Sequence, residues 1–306
     1  MTTAIHEPLT ATASINPATR LGVVRYTVAD LERQISFYQD SLGFKLHWRD
    51  GNDAGLGAGG ADLLHLTAVP GARRVRGTTG LYHTAFLVPT RWELANLLRR
   101  IIDTSTPVEG MSDHYTHLAI YLPDAEGNGI ELAWDFPRTK WEPFSELLRR
   151  EGPGAARQFG GRLHVGELLG ELEHDQRPWS GLDAATTVGH VHLHVADLTA
   201  TRQFYHAVLG FDIMMDSEAM GGMFFSAGGY HHHIGTNVWH GRGAPPPPAH
   251  ATGLRSFTVL LPDTTDLERV VARATALGSM PRRSADGVLF RDPAGNGVIL
   301  TTAARA

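Results

Sequence analysis

The stretch 23–44, VVRYTVADLERQISFYQDSLGF, occurs again at 190–211 as HVHLHVADLTATRQFYHAVLGF. The two copies share VADL, FY and LGF at the same spacing. A second pair of stretches matches in the same way, GLYHTAFLVPTRWEL at 80–94 and GLRSFTVLLPDTTDL at 253–267. Matches of this length indicate that one small structural unit has been repeated within the chain.

Each copy follows the same local pattern. A short β-rich run opens it, an Asp or a Pro ends that strand, and an amphipathic helix and several short strands follow. In the first and third copies, Gly43 and Gly210 end the helix. We therefore predict four modules of the βαβββ type, at 21–70, 80–135, 188–240 and 253–302.

The modules group into two halves of the chain. The predicted parts are an N-terminal tail at 1–20, a first half at 21–135, a bridging helical linker at 136–187 and a second half at 188–302. Within the linker, two further stretches predict short helices, SELLRREG at 145–152 and VGELLGELEHD at 165–175.

The composition narrows the class of protein. Of the 306 residues, 42% are hydrophobic and 19% are charged, which is typical of a soluble globular chain. A net charge of −5 argues against a protein that coats nucleic acid. The N-terminus has no signal-peptide pattern and no apolar run is long enough to span a membrane, so a cytoplasmic location without a membrane partner is expected.

Cysteine and histidine usage limits the chemistry. The chain has no cysteine, which excludes disulfide scaffolds, thiolate metal sites and a cysteine nucleophile. It has seventeen histidines. A transition metal would therefore be held by imidazole and carboxylate groups.

The repeats resemble the vicinal oxygen chelate superfamily, which includes glyoxalases, bleomycin-resistance proteins and extradiol dioxygenases. The resemblance is carried by VADL, FY and LGF in modules one and three and by GNGIEL at 127–132. Three stretches, GLYHTAFLVP, GNGIELAWDFPR and GGYHHHIGTNVWHGRGAPP, look most like the type I extradiol catechol 2,3-dioxygenase branch. The resemblance implies an α+β fold in which the four modules pair into two cupped mixed sheets.

In this superfamily, metal ligands recur on the first and fourth strands of a module. The matching first-strand residues are Val23, His83, His190 and Ser256. The matching fourth-strand residues after GNG are Glu131 and Ile299. Of the module pairings, only two with three brings together a complete set of two histidines and one carboxylate, His83, His190 and Glu131. The resemblance thus implies one Fe(II) site, and Mn(II) suits the same ligands.

The resemblance also implies groups that act beside the metal. Tyr121 lies ten residues before Glu131 and matches the family's tyrosine at the substrate. His114 looks like the family's substrate-binding histidine, with His117 ranked below it. We expect a hairpin to bring Tyr121 and Glu131 together.

The run from Tyr230 to Ile234 contains three histidines. We predict that it belongs to the fourth strand of module three, where His231 and His233 share one face and His232 takes the other. By the family's spacing, with Ile234 two residues on, the resemblance implies that His232 is the acid–base histidine, with His231 as runner-up. The APPPP loop is preceded by Asn237, Trp239 and Arg242. We expect these residues, together with His231, to border the substrate pocket.

The resemblance implies an Fe(II)-dependent oxidoreductase of aromatic catabolism. Its partners would be a small aromatic diol and O₂, and its product a hydroxymuconic semialdehyde. The alternatives are a metal-dependent glyoxalase-type lyase and a non-catalytic small-molecule binding or resistance protein. The ring substituents and a homo-oligomeric state stay open at this point.

Overall fold

The computed structural model describes residues 14–141, 161–175 and 177–302. Each predicted module consists of one strand, one helix and three further strands. Module one comprises β1 (Arg20–Val28), α1 (Leu31–Ser36), β2 (Lys45–Asp50), β3 (Asp53–Gly57) and β4 (Asp62–Ala68). Module two comprises β5 (Gly80–Leu87), α2 (Arg91–Asp103), β6 (Gly110–Asp113), β7 (His117–Pro123) and β8 (Gly129–Asp135).

The linker contains β9 (Gly161–Arg162) and α3 (Val165–His174). This confirms the helix predicted at 165–175, whereas the helix predicted at 145–152 lies outside the described residues. Module three comprises β10 (Thr187–His194), α4 (Leu198–Arg202), β11 (Asp212–Ser217), β12 (Gly222–Ser226) and β13 (Ile234–Asn237). Module four comprises β14 (Gly253–Leu261), α5 (Thr264–Ala276), β15 (Arg282–Ser284), β16 (Gly287–Arg291) and β17 (Gly297–Thr302).

The repeated VADL motif starts the helix in modules one and three. Asp30 Oδ1 accepts a hydrogen bond from the backbone N–H of Arg33 at 3.0 Å. Asp197 Oδ1 accepts the equivalent bond from Ala200 at 2.8 Å. Each aspartate therefore caps its helix and separates it from the preceding strand.

The repeated LGF motif ends the same two helices. Both helices continue into a wider π-helical turn, at Phe37–Ser41 and Gln203–Val208. Gly43 and Gly210 then have φ angles of +75° and +87°. Glycine adopts this left-handed conformation at little cost, so the predicted helix ends are confirmed.

The chain divides into two compact units. Among the described residues, the first unit contains 14–27, 73–82 and 190–302, and the second contains 28–72, 83–141, 161–175 and 177–189. In the first unit, the opening strand of module one therefore lies with modules three and four. The domain boundaries predicted from the sequence stay a prediction.

Two groups of paired strands make up the first unit. One has the order β15-β16-β17-β14-β1. Here β1 pairs antiparallel with β14, with Arg25 opposite Ser256. Modules one and four thus share a sheet. This is the pairing that is left once module two is paired with module three. The other group has the order β11-β12-β13-β10.

The second unit likewise has two groups of strands, β4-β3-β2 and β5-β8-β7-β6-β9. In modules two, three and four, the first strand runs parallel to the fourth. The neighbouring pairs around them are antiparallel. The predicted α+β class with two mixed sheets is therefore confirmed, and among the described strands neither sheet closes into a barrel.

The sequence predicts that no segment spans a membrane. No helix among the described residues is both long enough and apolar enough to cross a lipid bilayer.

A buried tyrosine–aspartate hydrogen bond occurs at the same place in each unit. In the second unit, the Tyr38 hydroxyl donates to Asp124 Oδ2 at 3.3 Å. In the first, the Tyr205 hydroxyl donates to Asp292 Oδ2 at 2.9 Å. The tyrosines belong to the FY motifs of modules one and three, and the aspartates precede the GNG turns of modules two and four. The bond therefore joins module one to module two, and module three to module four.

Burial affects the ionisation of both partners. It raises the pKa of Asp124 and of Asp292, and hydrogen bonds donated by Asn128 and Asn296 oppose that rise. Burial also raises the pKa of Tyr205 well above its usual value, and the neighbouring charge and hydrogen bond of Asp292 raise it further. The tyrosine hydroxyl consequently keeps its proton and acts as the donor.

We expect Tyr205→Phe to lower the free energy of unfolding by about 1–3 kcal/mol, because it removes a donor from a buried carboxylate. Tyr38→Phe should have a smaller effect, since its bond is longer. Urea unfolding followed by circular dichroism measures both. The control is Tyr82→Phe, at a half-exposed residue, which should stay within about 0.5 kcal/mol of the wild-type protein. Wild-type stability in Tyr205→Phe would contradict the expectation.

Candidate metal centre and active site

Two of the predicted ligands, His83 on β5 and Glu131 on β8, lie in the second unit. The register of these parallel strands places Ala85 opposite Glu131, so the side chains of His83 and Glu131 are on the same face. His83 Nε2 lies 3.0 Å from Glu131 Oε2. Both residues are buried, with 5% and 1% of their surface exposed.

This distance suits two neighbouring ligands of one metal ion. Metal–ligand bonds to nitrogen and oxygen are about 2.1 Å long, so two ligands at a right angle on an octahedral ion lie about 3.0 Å apart. Imidazole and carboxylate are also the donor types that Fe(II) and Mn(II) accept. The His83–Glu131 pair therefore fits a metal centre. The third predicted ligand, His190, belongs to the first unit.

The four first-strand residues that the sequence alignment compared occupy the same place in their strands. Each is the fourth residue of its module's opening strand, namely Val23, His83, His190 and Ser256. In β1 the pairing with β14 shifts between Leu21 and Val24, so the backbone around Val23 is irregular. Of the four side chains, those of His83 and His190 offer an imidazole to a metal ion.

His117, on β7, lies closer to the proposed metal centre than the sequence indicated. Its Nε2 approaches Glu131 Oε1 at 3.0 Å. His117 and Tyr121 are four residues apart on one strand and therefore share a face, and Tyr121 lies directly opposite Glu131. This alternation was the signal in the sequence that could have raised His117 above a secondary role.

His114 and Tyr121 form a hydrogen-bonded pair beside the same carboxylate. His114 Nε2 lies 2.8 Å from the Tyr121 hydroxyl, and the Tyr121 ring packs at 5.4 Å from the ring of His83. The β7–β8 hairpin brings Tyr121 and Glu131 opposite each other, as expected. His114 precedes β7, in a tight connection where Tyr115 has a φ of +63°.

In the first unit, three histidines gather around the start of β10. The ring of His190 lies 4.1 Å from that of His232 and 5.7 Å from that of His231. His231 Nδ1 and His232 Nδ1 are 2.9 Å apart. One ligand atom from each of the three residues lies within 4.8 Å of the others. The acid–base candidate and its runner-up are therefore both neighbours of His190.

The prediction that the three adjacent histidines lie on a strand is wrong. The strand β13 begins only at Ile234. The preceding turn contains Gly228 and Gly229, with φ angles of +59° and +69°. Strand alternation does not apply in such a turn, which is why His231 and His232 both come close to His190.

His232 and His233 have different surroundings. His232 is buried and stacks on Phe224, with ring centroids 4.3 Å apart. His233 Nδ1 instead lies 3.0 Å from the Ser226 hydroxyl and accepts the backbone N–H of Ala227 at 3.2 Å. His233 thus stabilises the turn through these contacts, whereas His232 lies beside His190.

Module three has a glycine at the position that corresponds to Glu131. The register pairs Ala85 with Glu131, Thr258 with Ile299, and His192 with Gly235. A Cβ on Gly235 would lie 2.9 Å from Cγ of His192. The imidazole of His192 therefore occupies the space in which a carboxylate side chain would begin.

Asn237 holds two imidazoles of β10. Its Nδ2 lies 3.0 Å from His192 Nε2, and its Oδ1 lies 2.8 Å from His194 Nδ1. The same Oδ1 accepts the backbone N–H of Trp239 at 3.0 Å. Asn237 is fully buried, so its amide contacts these neighbours and not solvent.

The remaining predicted pocket residues are more exposed. Trp239 is half exposed and packs on Tyr82, with ring centroids 5.2 Å apart. Tyr82, which sequence reasoning missed, also contacts the rings of His192 and His194 at 5.1 Å each. Arg242 lies on the surface and pairs with Glu218.

The chain belongs to the Glyoxalase/Bleomycin resistance protein/Dioxygenase superfamily, whose family model matches residues 20–132 and 187–300. It is 38% identical to a protein of Bacillus subtilis (strain 168) named catechol-2,3-dioxygenase, over 92% of this chain and 96% of that one. The expected family and the expectation of an enzyme of the extradiol dioxygenase type are thereby confirmed.

Solved structures agree with the fold. A structure from Bacillus subtilis subsp. subtilis str. 168 has a TM-score of 0.60 at 13% identity, covering 95% of this chain and 86% of that one. Glyoxalase I from Zea mays has a TM-score of 0.57 at 17% identity, covering 94% of each chain. At these identities the likeness concerns the fold alone.

We expect Gly235→Ala to displace the His192 ring and break its contact with Asn237, because the new Cβ would lie 2.9 Å from Cγ of the ring. Overpacking of this kind should cost about 1–3 kcal/mol in unfolding free energy, measured in urea. The matched control is Gly166→Ala on α3, where a Cβ meets nothing within 4 Å. A Gly235→Ala protein as stable as that control would show that the contact is not tight.

Proposed function

We propose that this protein is an extradiol ring-cleaving dioxygenase that holds its metal through His83, Glu131 and His190. The substrate is a catechol, both atoms of O₂ enter the product, and the ring opens to a hydroxymuconic semialdehyde. The observation that carries the proposal is the buried His83–Glu131 pair, with 3.0 Å between its ligand atoms. The relative named catechol-2,3-dioxygenase supports the substrate class.

The metal in this proposal is Fe(II), and Mn(II) suits the same ligands. An ion held by these two imidazoles and one carboxylate would supply the centre at which the diol and O₂ are brought together. The residues of the chain itself then bind the substrate, orient it and move its protons.

His114 and Tyr121 act at the diol. Their hydrogen bond of 2.8 Å joins an imidazole to a phenol that lies opposite Glu131, where we propose that a diol oxygen binds. Such a pair can accept the proton that the diol loses on binding and hold it until the product forms. Tyr121 also packs against the ring of His83, one of the proposed ligands.

His232, next to His190, acts on the oxygen that comes from O₂. Its ring is fixed by stacking on Phe224, and its Nδ1 faces Nδ1 of His231. A buried imidazole in this setting can deliver a proton during O–O cleavage and take it back afterwards. His231, which is less buried, is the second candidate for this role.

The substrate substituent is proposed to meet the group formed by His192, His194, Tyr82 and Trp239. Its ring contacts lie between 5.1 and 5.6 Å. Within this group Asn237 positions the imidazoles, and Arg242 contributes from the rim. The aromatic and imidazole surfaces suit an aromatic diol.

One observation weighs against a glyoxalase-type lyase. Such sites resemble four-ligand sets with a further carboxylate or glutamine, and module three offers Gly235 at the corresponding place. A non-catalytic binding protein would have no use for a buried histidine–carboxylate pair, which costs free energy to desolvate.

We expect the protein, loaded anaerobically with Fe(II), to retain the metal and to turn catechol yellow in air. Glu131→Gln, His83→Ala and His190→Ala should each lose metal, with turnover falling by at least about 10²-fold. Elemental analysis and oxygen consumption measure the two effects. The matched control is Ser256→Ala, the residue that corresponds to His83 in module four, which should keep both. Retention of iron and activity by Glu131→Gln would sink the proposed ligand set.

We expect His232→Asn to keep its iron but to lose about 10²–10⁴-fold in turnover, because it removes an acid–base group without touching a ligand. Single-turnover oxygen consumption, with iron content measured on the same sample, checks this. His233→Asn serves as the comparison and should lower stability more than turnover, since His233 holds the turn. Full turnover in His232→Asn would assign the role elsewhere.

A further inference from the structure

We infer that His117 is a positioning residue that holds Glu131 in the orientation needed for metal binding. The inference rests on the proposed function, because His117 is assigned a supporting role at the same metal centre, in contact with the ligand Glu131. It is drawn from contacts within the second unit alone.

The two oxygens of the Glu131 carboxylate face different histidines. Oε2 lies 3.0 Å from Nε2 of His83, and Oε1 lies 3.0 Å from Nε2 of His117. A carboxylate divided in this way offers one oxygen to an ion beside His83 and keeps the other against His117. His117 therefore favours binding through a single oxygen and limits rotation of the carboxylate.

The other ring nitrogen of His117 also has a polar neighbour. Nδ1 lies 2.9 Å from the Thr116 hydroxyl. When that hydroxyl donates, the neutral ring carries its proton on Nε2, the atom that faces Oε1 of Glu131. The ring also stacks on His114, with centroids 4.8 Å apart and planes inclined at 29°.

Small residues allow this contact to form across the sheet. On β7 and β8 the directly opposite pairs are His117 with Asp135, Ala119 with Ala133, and Tyr121 with Glu131. The side chains of these three pairs lie on one face. Because alanine is the middle pair, the His117 ring can lean over it and reach Glu131.

Contacts of this kind change metal affinity. A group that orients a ligating side chain typically contributes 10–100-fold to the binding of the ion. His117 and Glu131 are both buried, with 4% and 1% of their surface exposed, so solvent replaces the contact poorly if it is removed. The effect should therefore appear in binding itself, before any turnover.

The test measures the dissociation constant of Mn(II) alone, by electron paramagnetic resonance of the free ion, on the full chain. His117→Leu should bind Mn(II) about 10–100-fold more weakly than the wild-type protein. His117→Gln should bind close to wild type, because its side-chain Nε2 can take the place of the imidazole Nε2 as a donor. His117→Asn, whose shorter amide stops at the position of Nδ1, should resemble His117→Leu.

Two further variants refine the comparison. Thr116→Val removes the hydroxyl at Nδ1 and should weaken binding less than His117→Leu does. His250→Gln, at an exposed histidine, is the matched control and should leave the constant unchanged. Urea unfolding of every variant separates loss of fold from loss of affinity.

Each outcome decides the matter. Wild-type affinity in both His117→Leu and His117→Asn overturns the positioning role and leaves the ligand set intact. Loss in His117→Gln as complete as in Glu131→Gln also overturns it, because His117 would then bind the ion directly. If the wild-type protein itself binds no Mn(II) and no Fe(II), the proposed function fails together with this inference.

Discussion

The structure depends on a buried hydrogen bond that occurs once in each unit, from the tyrosine of an FY motif to the aspartate before a GNG turn. In the second unit this aspartate, Asp124, also accepts the backbone N–H groups of Glu126 and Asn128, each at 2.8 Å. It thereby shapes the turn from which β8 starts. Glu131 follows on that strand, so Asp124 helps to place a proposed metal ligand.

The fold tolerates very different side chains at its ligand positions. His83 and His190 have the same place in their strands as Val23 and Ser256, and Glu131 matches Ile299 and Gly235 by register. The hydrogen bonds that form the sheets come from the backbone, so they do not require a particular side chain at these positions. One repeated scaffold can therefore carry a candidate metal centre in some modules and packed apolar or small residues in others.

Much of this could be predicted from the sequence, because strands, caps and turns depend on local patterns. The repeat predicted four βαβββ modules, and Asp30 and Gly43 marked the limits of the first helix. The spacing from Tyr121 to Glu131 was enough to place both on one hairpin. The His231–His233 run misled for a physical reason, since two glycines with positive φ precede it and the chain turns before β13 begins.

Contacts between strands could not be read in advance. His117 reaches Glu131 because Ala119 and Ala133 lie between them on adjacent strands, which depends on register and side-chain size together. Asn237 is similar, since its amide binds two imidazoles of another strand.

The sequence by itself determined the modules, the helix limits and the types of donor available to a metal, because these follow from periodicity, local backbone preference and composition. Only the tertiary structure decided which histidines approach which carboxylate oxygen. Such distances depend on strand register and on the volume of intervening side chains, which residues far apart in the chain set jointly.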